Sequence, residues 1–233
     1  MTVKPEHEAI AVVEAGTPVQ RVVLFDFDGV LIHGDSFYLF IRERYRRSWW
    51  RGFVALLGLP LLLLQLPFSR RAPIRLLVRI ALLGLDDRGY QRAATTFGAT
   101  LARRPRQFCR DGLLALRRHQ GQGDRVIVVT GCEQILVSEI LRQLGLTDLE
   151  VLASQLRPGW LGMRPRLHNI GHRKVESLAQ RGLGGWQVAY GDSLADAAML
   201  KLAAEPVLVN GTPTLCKKVE KALGRAVTRV EWF

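Results

Sequence analysis

Two pairs of aspartates stand out by their spacing. In DFDGV, Asp26 and Asp28 close the hydrophobic run RVVLFDF (21–27) and are followed by Gly29. Carboxylates at i and i+2 converge on one pocket where the chain leaves strand geometry, and a glycine permits that turn. One carboxylate can attack phosphorus as a nucleophile. The other can act as general acid and base if its surroundings raise its pKa. In GDSLAD, Asp192 ends a second hydrophobic run and Asp196 follows four residues later, on the same side of the next helix. That pair suits Mg²⁺, which takes few protein ligands and keeps several waters. Between the pairs, RVIVVT (125–130) delivers Thr130 and then Gly131, a hydroxyl and backbone N–H groups for a phosphate oxygen. Lys174 stands near a helix start, where a cation is unfavourable unless it meets an anion. Singly, each has a plainer reading: an Asp-rich turn, Thr130 or Asp192 as a helix cap, a surface lysine.

The elements that must position these residues read as α/β. Short β-branched runs at 21–27, 125–130, 149–154, 186–192 and 206–210 have the pattern of buried strands. Helical patterns at 108–120, 133–145, 172–182 and 193–203 separate them. This alternation predicts a Rossmann-like, doubly wound parallel sheet, with functional residues outside the carboxyl ends of the strands. Pro-Gly and Gly punctuation in LRPGWLGMRPRL (156–167) predicts a small appended hairpin.

Between the first strand and the rest lies a segment of a different character. The chain of 233 residues carries 33 Lys+Arg against 21 Asp+Glu, a net charge of +12. Residues 36–105 hold 13 Arg, no Lys and three acids (Glu43, Asp86, Asp87), so +10 of the excess belongs here, leaving 20 bases and 18 acids elsewhere. The same segment is the most apolar: Trp49 and Trp50 precede FVALLGLPLLLLQLP (53–67), with Arg46, Arg47 and Arg51 before it and Arg70, Arg71 and Arg75 after it. The uninterrupted run Phe53–Leu64 is 12 residues and contains Gly58 and Pro60, short of the roughly 20 a spanning helix needs. Trp at the edge and arginine flanks suit contact with an anionic membrane surface through residues 46–79. A buried helical hairpin is the plainer alternative. Nucleic acid is disfavoured, because the arginines interleave with Leu and Val rather than with stacking aromatics. Cys109, Cys132 and Cys216 form no disulfide framework or zinc motif, so a reducing compartment is expected. The first twenty residues are acidic and broken by Pro, unlike a secretory signal.

Acid pair, Thr, Lys and acid pair, in that order, resemble the four motifs of the haloacid dehalogenase-like hydrolases over about residues 21–211. The insert directly after the first motif resembles the cap of the phosphoserine phosphatase-like branch. More narrowly, DFDGVLIHGDSF, the arginine-flanked apolar cap, LASQLRPGW and NIGHRKVESL resemble the bacterial phosphatidylglycerophosphatase C family. The domains so implied are an extension (1–20), a hydrolase core (21–35 and 106–233) and a helical cap (36–105). The resemblance implies Asp26 as nucleophile and Asp28 as acid and base. It implies Mg²⁺ on the Asp26 carboxylate, the Asp28 carbonyl and Asp192, with Asp196 supporting through water. Gly29, Thr130, Gly131 and Lys174 would hold the phosphoryl group. Val30 stands where relatives often carry Thr. The presence of Asp28 favours phosphate-ester hydrolysis over dehalogenation, since a halide leaves without a proton.

The expected activity is Mg²⁺-dependent hydrolysis of a phosphomonoester, on a phospholipid phosphate such as phosphatidylglycerol phosphate, peripheral on the inner face of a bacterial membrane. The alternative is a soluble phosphatase for phosphoserine or another small metabolite. A non-catalytic membrane adaptor is a reading of a different class, disfavoured because every acid and the lysine are present. Asp35, where phosphoserine-specific relatives carry Glu, has helix capping as its plain role. His172, Arg42, Arg46, Arg47 and Cys132 are candidates for substrate contact whose plain readings are surface or packing residues.

Overall fold

Strand alternation decides which side chains face which layer. In β1 (Val22–Phe25) Val23 and Phe25 point to one face of the sheet, Val22 and Leu24 to the other, and all four are buried. A strand apolar on both faces must lie at the centre of a sheet covered on both sides. It does so in the computed structural model, which describes residues 20–65, 69 and 71–233. Of the expected N-terminal extension, 1–19 lie outside the described residues, as do 66–68 and Arg70 near the end of the apolar run.

The other strands are β2 (Arg125–Glu133), β3 (Glu150–Arg157), β4 (Arg164–Leu167), β5 (Trp186–Gly191), β6 (Ala203–Val209) and β7 (Thr228–Val230). The sheet order is β4-β3-β2-β1-β5-β6-β7, parallel except for β4, which returns antiparallel to β3 as the expected hairpin. From β1 the chain builds outward to β4 and then crosses back to β5, so the winding reverses beside β1. Such a switch point opens a crevice at the carboxyl ends of the strands.

Helices α1 (Ser36–Arg46), α2 (Trp49–Leu57), α3 (Leu59–Gln65), α4 (Arg71–Ala81) and α5 (Asp87–Ala102) form the inserted segment. After it come α6 (Arg110–Gly121), α7 (Gln134–Gln143), α8 (His172–Ala179), α9 (Ala197–Lys201) and α10 (Pro213–Leu223). Phe40, Tyr90, Phe97, Leu116 and Ile140 bring α1, α5, α6 and α7 onto the Val23/Phe25 face. Leu178, Met199, Leu200 and Val219 bring α8, α9 and α10 onto the Val22/Leu24 face.

Three details differ from the sequence expectation. β2 runs past Thr130 to Glu133, with a register shift against β3 after Val129, and Glu133 rather than Thr130 caps α7. The expected helix over 193–203 is a 3₁₀ turn (Leu194–Asp196) followed by the short α9, because the Asp196 side chain turns back to cap the Ser193 backbone. The apolar run is neither a span nor a buried hairpin: it breaks at Gly58 between α2 and α3 and leaves Trp49, Phe53, Leu56, Leu57, Leu59, Leu63 and Leu64 exposed. Among the described residues no helix is long and apolar enough to cross a membrane.

Candidate active site

Asp26 is the first residue beyond β1, and its backbone N–H still donates to the Tyr190 carbonyl of β5 at 2.9 Å. That bond fixes it in the switch-point crevice. Gly29 (φ +77°) then turns the chain back, its N–H donating to Ile32 O at 2.8 Å. A Cβ at Gly29 would stand 1.9 Å from Asp192 Oδ2, so this position also lets the second acid pair approach the first. Asp28 is held by the Ser36 N–H, which donates to Oδ1 at 2.7 Å from the start of α1.

Lys174 joins the two acid pairs. Its Nζ donates to Asp26 Oδ1 at 2.9 Å and to Asp196 Oδ1 at 2.6 Å, and it is 2% exposed. Burial alone would lower its pKa, but the adjacent Asp26 and Asp196 carboxylates outweigh that and push it up, so the ammonium is held charged. Asp196 is fully buried, and its Oδ2 also accepts from Ser193 N and Oγ at 3.2 and 2.9 Å. Ligand oxygens of Asp26, Asp192 and Asp196 lie within 4.8 Å of one another.

One lysine does not balance this many carboxylates. Burial, then the nearby Asp196, pushes the Asp26 carboxyl well above its ordinary range despite Lys174. Burial pushes Asp28 up to about 6, opposed by the Ser36 hydrogen bonds. Burial and Asp196 push Asp192 up to about 6. A cluster of oxygen ligands that resists ionising without more positive charge fits a hard divalent cation such as Mg²⁺.

The crevice is a cavity of about 500 Å³ lined by Asp26, Asp28, Gly29, Gly131, Lys174, Asp192 and Asp196, together with Asp35, Phe37, Cys132 and His168. Thr130 is set behind this lining: it is fully buried, and its Oγ1 accepts from Cys132 N at 2.9 Å. Asp35 caps α1, accepting from Tyr38 N at 2.8 Å. Cys132 is buried, its Sγ accepting from Ser36 Oγ at 3.1 Å. His172 is an exposed first residue of α8, and Arg46 and Arg47 pair with Glu43 on the outside of α1.

Two residues that the sequence did not single out hold the Thr130–Gly131 stretch of β2. Asn169, fully buried, donates through Nδ2 to Leu152 O at 2.9 Å and Thr130 O at 3.3 Å, while its Oδ1 accepts from Ser177 Oγ on α8 at 3.0 Å. Ser154 Oγ donates to Gly131 O at 2.7 Å and accepts from Asn169 N. Together they tie the Thr130–Gly131 stretch to the helix that carries Lys174. A single Asn in a polar loop carries no spacing signal, so only the folded chain discloses it.

A second cavity, of about 710 Å³, adjoins the first at Phe37, Gly131 and His168. Ile74, Leu76, Val78 and Leu82 of the α4 region line one side, and Leu156, Met163 and Leu167 of the β3–β4 hairpin line the other.

No curated protein matches the chain in sequence. Among solved structures, a protein of unknown function from Bordetella pertussis Tohama I aligns at TM-score 0.63 and 20% identity, covering 90% of this chain and 98% of that one. A substrate-bound phosphoserine phosphatase complex aligns at TM-score 0.56 and 18% identity, covering 91% and 92%. A phospho-aspartyl intermediate analogue of phosphoserine phosphatase aligns at 0.53 and 19%, covering 89% and 93%. These likenesses establish a shared fold. The family model for haloacid dehalogenase-like hydrolases matches residues 23–201, a stretch that runs from β1 through α9 and contains both acid pairs, Thr130 and Lys174. The chain belongs to the haloacid dehalogenase-like hydrolase family.

Proposed function

We propose that this protein is a Mg²⁺-dependent phosphomonoester hydrolase that works through an aspartyl-phosphate on Asp26. The observation that carries the reading is two carboxylates with different partners in one crevice. Asp26 is bonded to the charged, buried Lys174 and faces Asp192 and Asp196, where a cation would offset the burial that pushes its own carboxyl up. Asp28 meets the Ser36 N–H instead, and its carboxyl is pushed up to about 6. The first carries the nucleophilic oxygen; the second is poised to hold and return a proton.

In the first step an Asp26 oxygen forms a bond to phosphorus as the bond to the ester oxygen breaks, and Asp28 gives its proton to the departing alkoxide. In the second step Asp28 takes a proton from water, the water oxygen bonds to phosphorus, and the Asp26 carboxylate leaves. Lys174 offsets the charge on Asp26 and on the phosphoryl oxygens throughout. Gly131 lines the crevice beside those oxygens, while Gly29, its N–H held by Ile32 O, and Thr130, its Oγ1 accepting from Cys132 N behind the lining, keep the surrounding backbone in place. The Asp26 and Asp192 carboxylates, with Asp196 beside them and the Asp28 carbonyl, would hold Mg²⁺, which when bound would supply the positive charge that lets a dianionic phosphate meet an anionic nucleophile.

For the substrate, the neighbours named phosphoserine phosphatase support a small water-soluble phosphomonoester. A specific observation favours a second reading, a phospholipid phosphate such as phosphatidylglycerol phosphate, taken as in the phosphatidylglycerophosphatase C family. The largely apolar cavity between α4 and the β3–β4 hairpin shares Phe37, Gly131 and His168 with the crevice, so an apolar leaving group would have a wall to lie against. That reading brings with it an anionic membrane surface against residues 46–79 and a peripheral position on the inner face of the membrane. One panel decides between them: phosphate release with Mg²⁺ from phosphoserine, other soluble monoesters and a dispersed phospholipid phosphate, with Asp26→Asn as blank. Preference for soluble esters supports the first reading, and preference for the lipid the second. Release equal in wild type and Asp26→Asn removes both.

A further inference from the structure

Two stretches far apart in sequence expose large apolar side chains and meet at one turn. On α2, Trp49 is 82% exposed, and Phe53, Leu56 and Leu57 are exposed with it. At the tip of the β3–β4 hairpin, Trp160 is 97% exposed, with Leu161 also exposed beside it. The Arg51 guanidinium lies over the Trp50 ring, 4.4 Å from its centroid, and Nη2 donates to Leu83 O at 3.2 Å. Leu83 in turn forms a bridge with Gly162, and Gly84 N donates to Leu161 O at 2.9 Å. Gly162 (φ +135°) makes this approach possible, since a Cβ there would stand 2.3 Å from Leu82 O. The hairpin tip and the start of α2 therefore flank the same Leu82–Gly84 turn.

The charge of α1 and α2 beside this face is mostly positive, with Glu43 their one acid and Asp86 and Asp87 exposed after the Leu82–Gly84 turn. Arg51 is 8% exposed, and its Nε has no hydrogen-bond partner among the described residues. Arg44 donates to Ala81 O, and its pKa is pushed down to about 10 by burial and by the charges of Arg51 and Arg47. Arg46, Arg47 and Arg104 share a single carboxylate, Glu43. Indoles beside leucines, with arginines gathered next to them and little acid to neutralise them, complement an anionic leaflet. The rings sit at headgroup depth, the leucines reach the acyl boundary and the guanidinium groups meet phosphates.

We infer that α2 and the tip of the β3–β4 hairpin form one composite face that docks on an anionic lipid surface. This rests on the lipid reading above and adds to it a second anchor, which is the same hairpin that walls the apolar cavity.

The test is sedimentation of the full chain with vesicles of phosphatidylcholine alone or mixed equally with phosphatidylglycerol. Hydrolysis of p-nitrophenyl phosphate is followed alongside. The wild type is expected to sediment with the mixed vesicles, less so in high salt, and not with phosphatidylcholine alone. The double variant Trp160→Ser/Leu161→Ser, and separately Trp49→Ser/Phe53→Ser, should each weaken vesicle binding about tenfold or more while p-nitrophenyl phosphate turnover stays at the wild-type level. Unchanged binding in the hairpin variant overturns the inference. So does a wild-type dimer in light scattering that these substitutions dissociate, since the face would then seat a second copy. Failure of the wild type to hydrolyse p-nitrophenyl phosphate would count against the phosphatase reading and leave the vesicle result standing.

Discussion

At the position of Gly29 the whole site depends on the absence of one carbon atom. The backbone there is left-handed, and an added Cβ would collide with Asp192 Oδ2 at 1.9 Å. Gly29→Ala is expected to displace Asp192 and lower Mg²⁺-dependent turnover by about 100-fold, the scale of loss from a misplacement of roughly 1 Å; steady-state phosphate release at saturating Mg²⁺ checks this. Asn169 makes the converse point, since it stabilises by what it adds. Asn169→Ala strips the partner from the Leu152 and Thr130 carbonyls and from Ser177. The expected cost is about 2 kcal/mol in urea unfolding, with weaker product inhibition by inorganic phosphate as the Thr130–Gly131 stretch loosens. Asp26, Asp28, Lys174, Asp192 and Asp196 were legible because acids and a lysine at strand ends and helix starts are unusual. Asn169 and Ser154 were not, because their partners are backbone carbonyls brought near only by folding.

Among the elements, the inserted helices are joined to the rest of the chain by a buried polar contact as well as by apolar packing. Tyr90 of α5 donates to Glu133 Oε2 at 2.7 Å, and Glu133 also accepts from Leu136 N to start α7. Burial pushes the carboxyl of Glu133 up, so the hydroxyl holds a group that would otherwise be costly to keep there. Tyr90→Phe is expected to destabilise the protein by about 1–3 kcal/mol in chemical denaturation, more than loss of a surface hydrogen bond would. The central strands and the β3–β4 hairpin were legible from β-branched runs and Pro-Gly punctuation. The sequence reading did not anticipate β7, whose three residues are too few for a periodicity. It also passed over α10, although Thr212 capping the Leu215 N–H and Pro213 in the first turn are ordinary start signals. The break of 193–203 into a 3₁₀ turn and α9 depends on Asp196 reaching Ser193 and Lys174, a tertiary demand that overrides local helix preference.

For the molecule as a whole, charge is divided by task. The insert carries +10 of the +12, and the rest of the chain is close to neutral, so the catalytic crevice relies on Lys174 and a metal ion. This sets how stability should vary with pH. Asp28 and Asp192 have folded-state pKa values near 6, above the ordinary 3.8. Between those values the metal-free folded chain binds more protons than the unfolded chain, so its stability falls as pH rises through about 6. The melting temperature of the metal-free protein should accordingly be higher at pH 5 than at pH 7.5, and Mg²⁺ should raise it more at pH 7.5. A Mg²⁺ effect equal at both pH values would contradict the assignment of the Asp192 carboxylate to the ion. Composition alone located the positive charge in the apolar insert; that α2 leaves its indole and leucines outside, beside the hairpin tip, required the fold.

The central claim is that Asp26 carries the phosphoryl group. Acid-quenching the enzyme in single turnover with Mg²⁺ and p-nitrophenyl phosphate, then analysing its peptides by mass spectrometry, reads this directly. A phosphoryl increment on the peptide holding Asp26, formed and lost at the rate of turnover and absent from Asp26→Asn, is the predicted result. Phosphate release that proceeds with no labelled Asp26 peptide, or that persists in Asp26→Asn, would contradict it.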